Sequence, residues 1–385
     1  MKIIHICLAC FYVEGMGYQE NILPKIHAQS GNDVMVITSD YAFDGSGKAC
    51  KKKTKEYTNK YNVRVKVIDK KKEQRFIPNF GRYNGLYMLL EREKPDIIFV
   101  HGGQFLSIKD VVAYAKKNPE VKLYLDQHGD YYNSPVNTFK QKLIHKVIYG
   151  HWIRKFSKLA ERVYGVTPWR CTYLNDVYGV SQSKIELLVM GGDDDKIHFD
   201  RKNEIRENIR RENSINDDDF VIVTGGKIDK TKNIHLLMQA VSEIDCENLR
   251  LIVFGQPSAD MEDEINRLAN NDKIRFIGWI DADKAYDYFL ASDLAIFPGT
   301  HSVLWEQACA CGIPGIFNDW EGMHHVDAGG NSMFIDGSSI DEIKNAIQTL
   351  MSDKEKYAHM KNAAETKAVK EFSYREIAKR AIETR

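Results

Sequence analysis

Two lysines, a glutamate and a histidine carry most of the chemistry in this sequence. Lys227 and Lys232 lie in Gly225-Gly226-Lys227-Ile228-Asp229-Lys230-Thr231-Lys232-Asn233, directly after the apolar run 220–224. Glycines between a buried strand and a helix let a ligand approach the backbone. Ammonium groups there neutralise phosphate, and one contact at about 4 Å with an effective dielectric of 20 is worth about 4 kcal/mol before desolvation. A lone lysine is ordinarily just solvent-exposed; the pair around a turn favours an anion site. Glu306 follows His301, Ser302, Val303 and Leu304 in Pro-Gly-Thr-His-Ser-Val-Leu-Trp-Glu-Gln-Ala-Cys-Ala-Cys-Gly-Ile-Pro, 298–314. The stretch 299–302 reads as a loop opening a helix, where unpaired N–H groups suit a negative ligand. Glu306 then falls about one turn in, on the side facing that ligand. His101 and His128 each end an apolar run, and open α/β sheets bind ligands at the carboxyl ends of strands. The plainer reading of either histidine is a structural hydrogen bond in a loop. Gly129 and Asp130, beside His128, favour function there.

The elements that must position these residues alternate along the chain, which predicts an α/β architecture with parallel sheets. Strands are expected at 3–8, 33–38, 63–67, 97–100, 123–125, 163–166 and 185–189, enough for one complete domain. The alternation restarts at 220–224 and continues with 250–254, 274–277, 294–297 and 315–317. Gly278 and Trp279 end one of these strands at the same sheet edge as the lysine loop. At 385 residues the chain is long enough for two such domains. The glycines and charge-rich composition around 193–219 mark a linker between them. The run Asp193-Asp194-Asp195 has the oxygens that Mg²⁺ and Mn²⁺ favour, but its place after the seventh strand makes the linker the better reading.

Lys plus Arg and Asp plus Glu both number 54, which gives no global field to argue for nucleic acid or an anionic surface. Seven scattered cysteines without a zinc-like pair of pairs suit a reducing compartment. Cys309 and Cys311 in an apolar helix read as buried small residues. No apolar run reaches a spanning helix and the N-terminal one is short for a signal peptide, which leads us to expect a cytoplasmic protein. The stretch 48–60 looks like a solvated basic excursion. The segment 139–162 is basic and amphipathic; an ordinary domain helix with its basic chains on the wet side is the first reading, and peripheral attachment to the inner face of a membrane is the second. Gly15 and Gly17 open a helix after the first strand. Asp40, at the end of the second strand, stands where a dinucleotide site places its acid, but the third glycine is missing.

Taken together, Gly15-Met16-Gly17, His128, Gly226-Lys227 through Lys232, Gly278 and Glu-Gln-Ala-Cys-Ala-Cys-Gly-Ile-Pro resemble the GT-B glycosyltransferases, and within them the family 4 retaining enzymes (glycosyl transferases group 1). The resemblance covers nearly the whole chain. It implies a GT-B fold with two Rossmann-like domains facing each other across a cleft. The acceptor-side domain is expected at 1–192, the nucleotide-sugar domain at 220–370, and a last helix at 371–385 crossing back to the first. By the same resemblance Glu306 binds the ribose hydroxyls of a nucleotide-sugar donor, Lys227 and Lys232 hold its diphosphate, and His128 sits near the transferred sugar. Gly15, Gly17, Gly226, Gly278, Trp279, His301, Ser302, Val303 and Leu304 line the donor site. The family carries Arg where this chain has Lys227, which exchanges a bidentate fork for a point charge. It also carries a second glutamate eight residues before Glu306, where this chain has Pro298; His301 and Ser302 are the available substitutes.

The implied reaction is metal-independent, retaining transfer from a donor, UDP-sugar favoured, to a glycan or polyprenyl-linked glycan in surface polysaccharide synthesis. No cofactor and no nucleic-acid partner are expected. A GT-B nucleotide-sugar epimerase, a non-catalytic nucleotide-sugar binder and, more distantly, a dehydrogenase are the alternatives.

Overall fold

The computed structural model of the chain describes residues 1–10, 12–43, 49–51, 54–71 and 80–383. These form two compact units, one of Met1–Val189 with Ala378–Arg385, the other of Met190–Ile377. The strands of the first unit are β1 (Lys2–Cys7), β2 (Asp33–Ser39), β3 (Tyr41–Phe43), β4 (Ala49–Lys51), β5 (Glu56–Thr58), β6 (Arg64–Ile68), β7 (Ile97–His101), β8 (Lys122–Gln127), β9 (Arg162–Gly165) and β10 (Ile185–Leu187). Eight of them make one sheet in the order β10-β9-β8-β7-β1-β2-β6-β5. All its pairings are parallel except that of β5 with β6. The chain proceeds outward from β1 in one direction, then returns to lay β7 on its other side. The connections therefore diverge between β1 and β7, which opens a crevice at their carboxyl ends.

Each parallel strand shows one side to each face of the sheet. One face is aliphatic: Ile4, Ile6, Met35, Ile37, Ile98, Val100, Leu123 and Leu125 pack under Leu86, Leu90, Val111, Ile153 and Phe156. The other face is not. Register places His5 beside Phe99, Phe99 beside Tyr124, His101 beside Asp126 and Asp126 beside Tyr164. That face carries stacked rings, with Phe99, Tyr124 and Tyr164 nearly parallel.

The second unit has β11 (Phe220–Gly225), β12 (Leu249–Phe254), β13 (Ile274–Gly278), β14 (Leu294–Phe297), β15 (Gly315–Asn318) and β16 (Ser332–Ile335). All are parallel, in the order β13-β12-β11-β14-β15-β16, the Rossmann order, with its switch between β11 and β14. Ile222, Leu251, Val253, Leu294, Ile296 and Ile316 bury one face against Leu237, Met238, Val241, Ile265, Ile343 and Ile347.

Three expectations change. The stretch 48–60 contains strands: β4 pairs with β3 and β5 with β6. Lys48, Lys52 and Lys53 lie outside the described residues. The segment 193–219 is not a linker but part of the second unit, because it has its own buried anchor. Arg210, on helix Lys202–Glu212, is 2% exposed. It donates to the carbonyls of Asn216, Asp217 and Asp219 at 2.9, 3.1 and 3.1 Å and to Asp293 Oδ2 at 2.8 Å. Arg206 takes the other oxygen of Asp293 at 2.8 Å. Finally, the acidic run binds protein groups. Asp194 accepts from Ser373 Oγ at 2.6 Å and from the Arg375 amide at 2.9 Å, and Asp195 pairs with Arg375 at 2.8 Å. A negative charge at the first turn of helix Tyr374–Ala381 is favourable.

Replacing the buried Arg210 by alanine leaves the partly buried Asp293 carboxylate short of a partner and three carbonyls without this donor, so we expect a loss of about 3–5 kcal/mol in denaturant unfolding. Arg206→Ala, at a side chain 30% exposed, costs no more than about 1 kcal/mol in the same measurement.

Candidate active site

In the second unit, four loops meet at the carboxyl ends of β11, β12, β14 and β16, and they meet through glycine. A Cβ on Gly255 would lie 1.8 Å from the Gly226 carbonyl, one on Gly299 would lie 2.3 Å from the Lys232 backbone, and one on Gly337 would lie 1.9 Å from the Pro298 carbonyl. Gly226 and Gly255 also sit at φ +111° and +129°, where side chains are strained. Asn233 ties the loops together in a left-handed conformation, φ 54°, with its amide donating to Pro298 O at 3.1 Å and Gly337 O at 3.0 Å.

Lys232 reaches across this junction. Its Nζ donates to Thr300 O at 2.7 Å and His301 O at 3.1 Å. Burial lowers its pKa, and Asp229 partly opposes that. Two acceptors leave the third ammonium proton without a partner among the described residues. Lys227 is 73% exposed and pairs with Asp229 at 3.2 Å. The two lysines are thus brought to one loop, one anchored and one free to swing.

Glu306 lies in helix Leu304–Ala310 and is fully buried. Its Oε1 accepts from His301 Nε2 and from His325 Nε2, both at 2.8 Å, while Oε2 has no partner. Burial would raise its pKa, but the two histidines outweigh it and hold the carboxyl well below the usual carboxylate range. Trp305, buried beneath, meets the His301 ring edge-on at 5.3 Å and leans on Phe317. His301 is therefore fixed in orientation from two sides. Ser302, Val303 and Leu304 continue the same loop into the helix, and Leu304 Cδ1 sits 2.9 Å from where a Gly226 side chain would start. Gly278, at φ +75°, and Trp279, 67% exposed, end the edge strand β13, and the Gly278 carbonyl accepts from Gly255 N at 2.7 Å. Cys309 and Cys311 are buried, as expected.

In the first unit, His128 follows β8 and is 32% exposed, with its Nε2 at 3.3 Å from Asp126 Oδ1. Burial works against its protonation, but Asp126 outweighs it and raises the pKa. His101 is wholly buried and bonds Asp126 Oδ2 through Nδ1 at 2.8 Å. Gly15, at φ +82°, and Gly17 precede helix Gln19–Gln29, and a Cβ on either would meet open space. Close approach of the chain does not explain these two glycines.

Sequence reasoning passed over His325 and Asp126. His325 lies in a short turn after β15 and carries no spacing signal. Asp126 does: two residues before His128 on a strand, it shares that residue's face. His301, Glu306 and His325, and likewise His101, Asp126 and His128, bring three potential metal-ligating atoms within 4.8 Å of one another. In the first set the contacts of Glu306 with His301 and His325, both 2.8 Å, are hydrogen-bond lengths, shorter than the about 3.3 Å at which a tetrahedral ion with ligands at about 2.0–2.1 Å holds them. In the second set both ring nitrogens of His101 are already engaged, Nε2 by His5 at 3.0 Å.

Comparison with known proteins agrees with this geometry. Residues 205–367 match the family Glycosyl transferases group 1, and residues 26–196 match Glycosyltransferase Family 4. An uncharacterized glycosyltransferase of Methanocaldococcus jannaschii is 22% identical over 219 residues, which is 54% of this chain and 55% of that protein. The chain thus spans about half the length of that curated relative. Among solved structures, Anabaena HepE in complex with UDP is similar over 99% of this chain and 98% of its own, with a TM-score of 0.68 and 18% identity. A glycosyltransferase from Rickettsia africae is similar over 98% and 96%, with a TM-score of 0.68 and 14% identity. The two matched regions between them cover most of both units, and with the paired parallel-sheet architecture they place the chain among the GT-B glycosyltransferases of the family 4 type.

Proposed function

We propose that the protein transfers a sugar, with retention of anomeric configuration, from a nucleoside-diphosphate donor to a glycan or lipid-linked glycan. The observation that carries this reading is Lys232: a half-buried ammonium, anchored on two carbonyls at the switch point of a Rossmann-ordered sheet, with one proton left to give. Departure of the nucleotide diphosphate builds negative charge, and a fixed cation at that place stabilises the leaving group with little reorganisation. Lys227 supplies a second charge by exchanging Asp229 for phosphate. Gly226, without a side chain, lets the phosphates lie against the backbone.

The unpartnered Glu306 Oε2 is the atom left for a ribose hydroxyl, and since it is buried the loop carrying His301 must shift to admit it. His301, held by Glu306 and Trp305, takes the place of the absent glutamate in meeting the donor sugar. His128 lies on the acceptor-side unit, and the leaving phosphate itself accepts the proton of the incoming hydroxyl. This chemistry calls for no metal. UDP is the favoured nucleotide because HepE, a structural neighbour, is complexed with it. Phe139, Leu143 and Val147 are exposed beside Lys140, Lys142 and Lys146 on one helical stretch, which supports peripheral contact with a membrane holding the acceptor. No helix among the described residues is long and apolar enough to cross a membrane.

A thermal-shift screen of UDP-, GDP- and ADP-sugars tests the donor, with stabilisation by UDP-sugars expected since ligand binding shifts the folding equilibrium. Donor turnover in the absence of any acceptor would point to epimerisation instead. Lys232→Ala is expected to weaken donor binding by about 1.5–3 kcal/mol, at least roughly tenfold, in a protein that still folds but melts somewhat earlier for want of the donor to Thr300 O and His301 O. Because burial lowers the Lys232 pKa, raising the pH neutralises it before an ordinary lysine, and donor affinity falls early on the alkaline side. Lys232→Arg should keep affinity flat through that range in the same titration.

A further inference from the structure

The ring-lined face of the first sheet holds an unbroken line of hydrogen bonds. His27, on helix Gln19–Gln29, places Nε2 at 2.9 Å from the carbonyl of Ala378 and Nδ1 at 3.0 Å from His5 Nε2. His5, on β1, places Nδ1 at 3.0 Å from His101 Nε2. His101, on β7, places Nδ1 at 2.8 Å from Asp126 Oδ2 on β8. His5, His101 and Asp126 are wholly buried and His27 is 2% exposed.

The ends of this line are a peptide carbonyl and an ionised carboxylate, and both only accept. Four contacts need four protons. Three neutral imidazoles have three. Drawn from either end, a line of neutral rings leaves two lone pairs facing each other inside the core. The contacts close only when the group holds one proton beyond three neutral rings and a carboxylate.

The surroundings say where it sits. Burial, then the charges of His27 and His101, pull the His5 pKa well down, and burial pulls His27 down to about 4. Burial would raise Asp126, but His101 and His128 outweigh it and hold that carboxyl well below its usual range. The charge therefore lies at the His101–Asp126 end. Other groups facing that end are few among the described residues. Gln19 Nε2 is 3.4 Å from Asp126 Oδ2, and the free thiol of Cys10, from the loop after β1, is hydrogen-bonded to Cys7 and feels the charge of the same carboxylate. The charges of Glu20 and Arg170 reach His128 with opposite effect, Glu20 favouring its protonation and Arg170 opposing it, and Arg170 is itself paired to Asp130 at 3.1 Å. The other oxygen, Asp126 Oδ1, and His128 Nε2 form an ion-pair contact at 3.3 Å, and neither atom has a hydrogen-bond partner among the described residues.

We propose that His27, His5 and His101 form a buried, singly charged proton array that holds Asp126 ionised and in place, and that Asp126 is the positioning residue for His128. It engages His128 through Nε2–H and leaves Nδ1 as the nitrogen presented to the acceptor side. This rests on the reading that His128 serves sugar transfer.

The test is nitrogen-15 NMR of the full chain labelled at histidine, with single His→Gln variants for assignment. At neutral pH one ring of the array is expected to carry protons on both nitrogens, assigned through His101→Gln, and His128 to be protonated at Nε2. Three neutral rings would overturn the array whatever the activity. Asp126→Asn is expected to lower kcat about 10- to 100-fold with little change in donor KM, and to move the limb of the pH–rate profile that reports His128 to lower pH. An unmoved limb in a folded Asp126→Asn protein would overturn the positioning role. If His128→Gln transferred at the parental rate, the role given to His128 would fall, while the NMR result would still decide the array.

Discussion

A half-buried ammonium must find acceptors, and in the second unit the acceptors of Lys232 are backbone carbonyls from a loop nearly seventy residues away in sequence. The arrangement holds only while β11 and β14 are neighbours and their loops touch main chain to main chain. Hence the glycines: Gly299 lies against the Lys232 backbone, Gly255 against Gly226, and Gly337 against Pro298. Asn233 adopts a left-handed backbone and ties its own loop to two of the others with one amide. Sheet order, glycine placement and the position of one positive charge are a single constraint. A side chain at any of these glycines would separate the loops and displace the charge with them.

Each unit also buries a carboxylate among imidazoles, and the two use it differently. Glu306 gathers both of its histidines on one oxygen and leaves the other empty. Asp126 bonds His101 through one oxygen, toward the core, and holds the other 3.3 Å from His128 Nε2 as an ion-pair contact. A buried carboxylate is costly unless its partners supply charge or hydrogen bonds. Imidazoles meet that cost by donating ring N–H groups to the carboxylate oxygens.

Much of this was legible beforehand, and what was not has a physical reason. The parallel strands were, because fully buried strands read as continuous apolar runs. The lysine loop, the 298–314 stretch and His128 were, because turn glycines, strand ends and charged residues coincide there. The short strands β3, β4 and β5 were not, since three residues carry no period. Arg210 was hidden because a basic residue within a charged stretch reads as solvated, while its partner Asp293 lies far off in sequence. The acidic run 193–195 looked like a ligand set or a linker because Ser373 and Arg375 come from the other end of the chain. His5 and His27 gave no signal, because an isolated histidine on a strand or helix is ordinarily unremarkable and only cross-strand register joins them.

The last helix makes the first unit discontinuous. Ala378 supplies the carbonyl that closes the array at His27, and the carbonyls of Arg380 and Ile382 accept from Tyr164 and Tyr124 at 3.3 and 3.2 Å. Those residues leave the ribosome only after the whole second unit has been made. Through synthesis the ring-lined face of the first sheet is uncovered at this edge, so the second unit can close before the first has all of its contacts, and the first is completed by the tail.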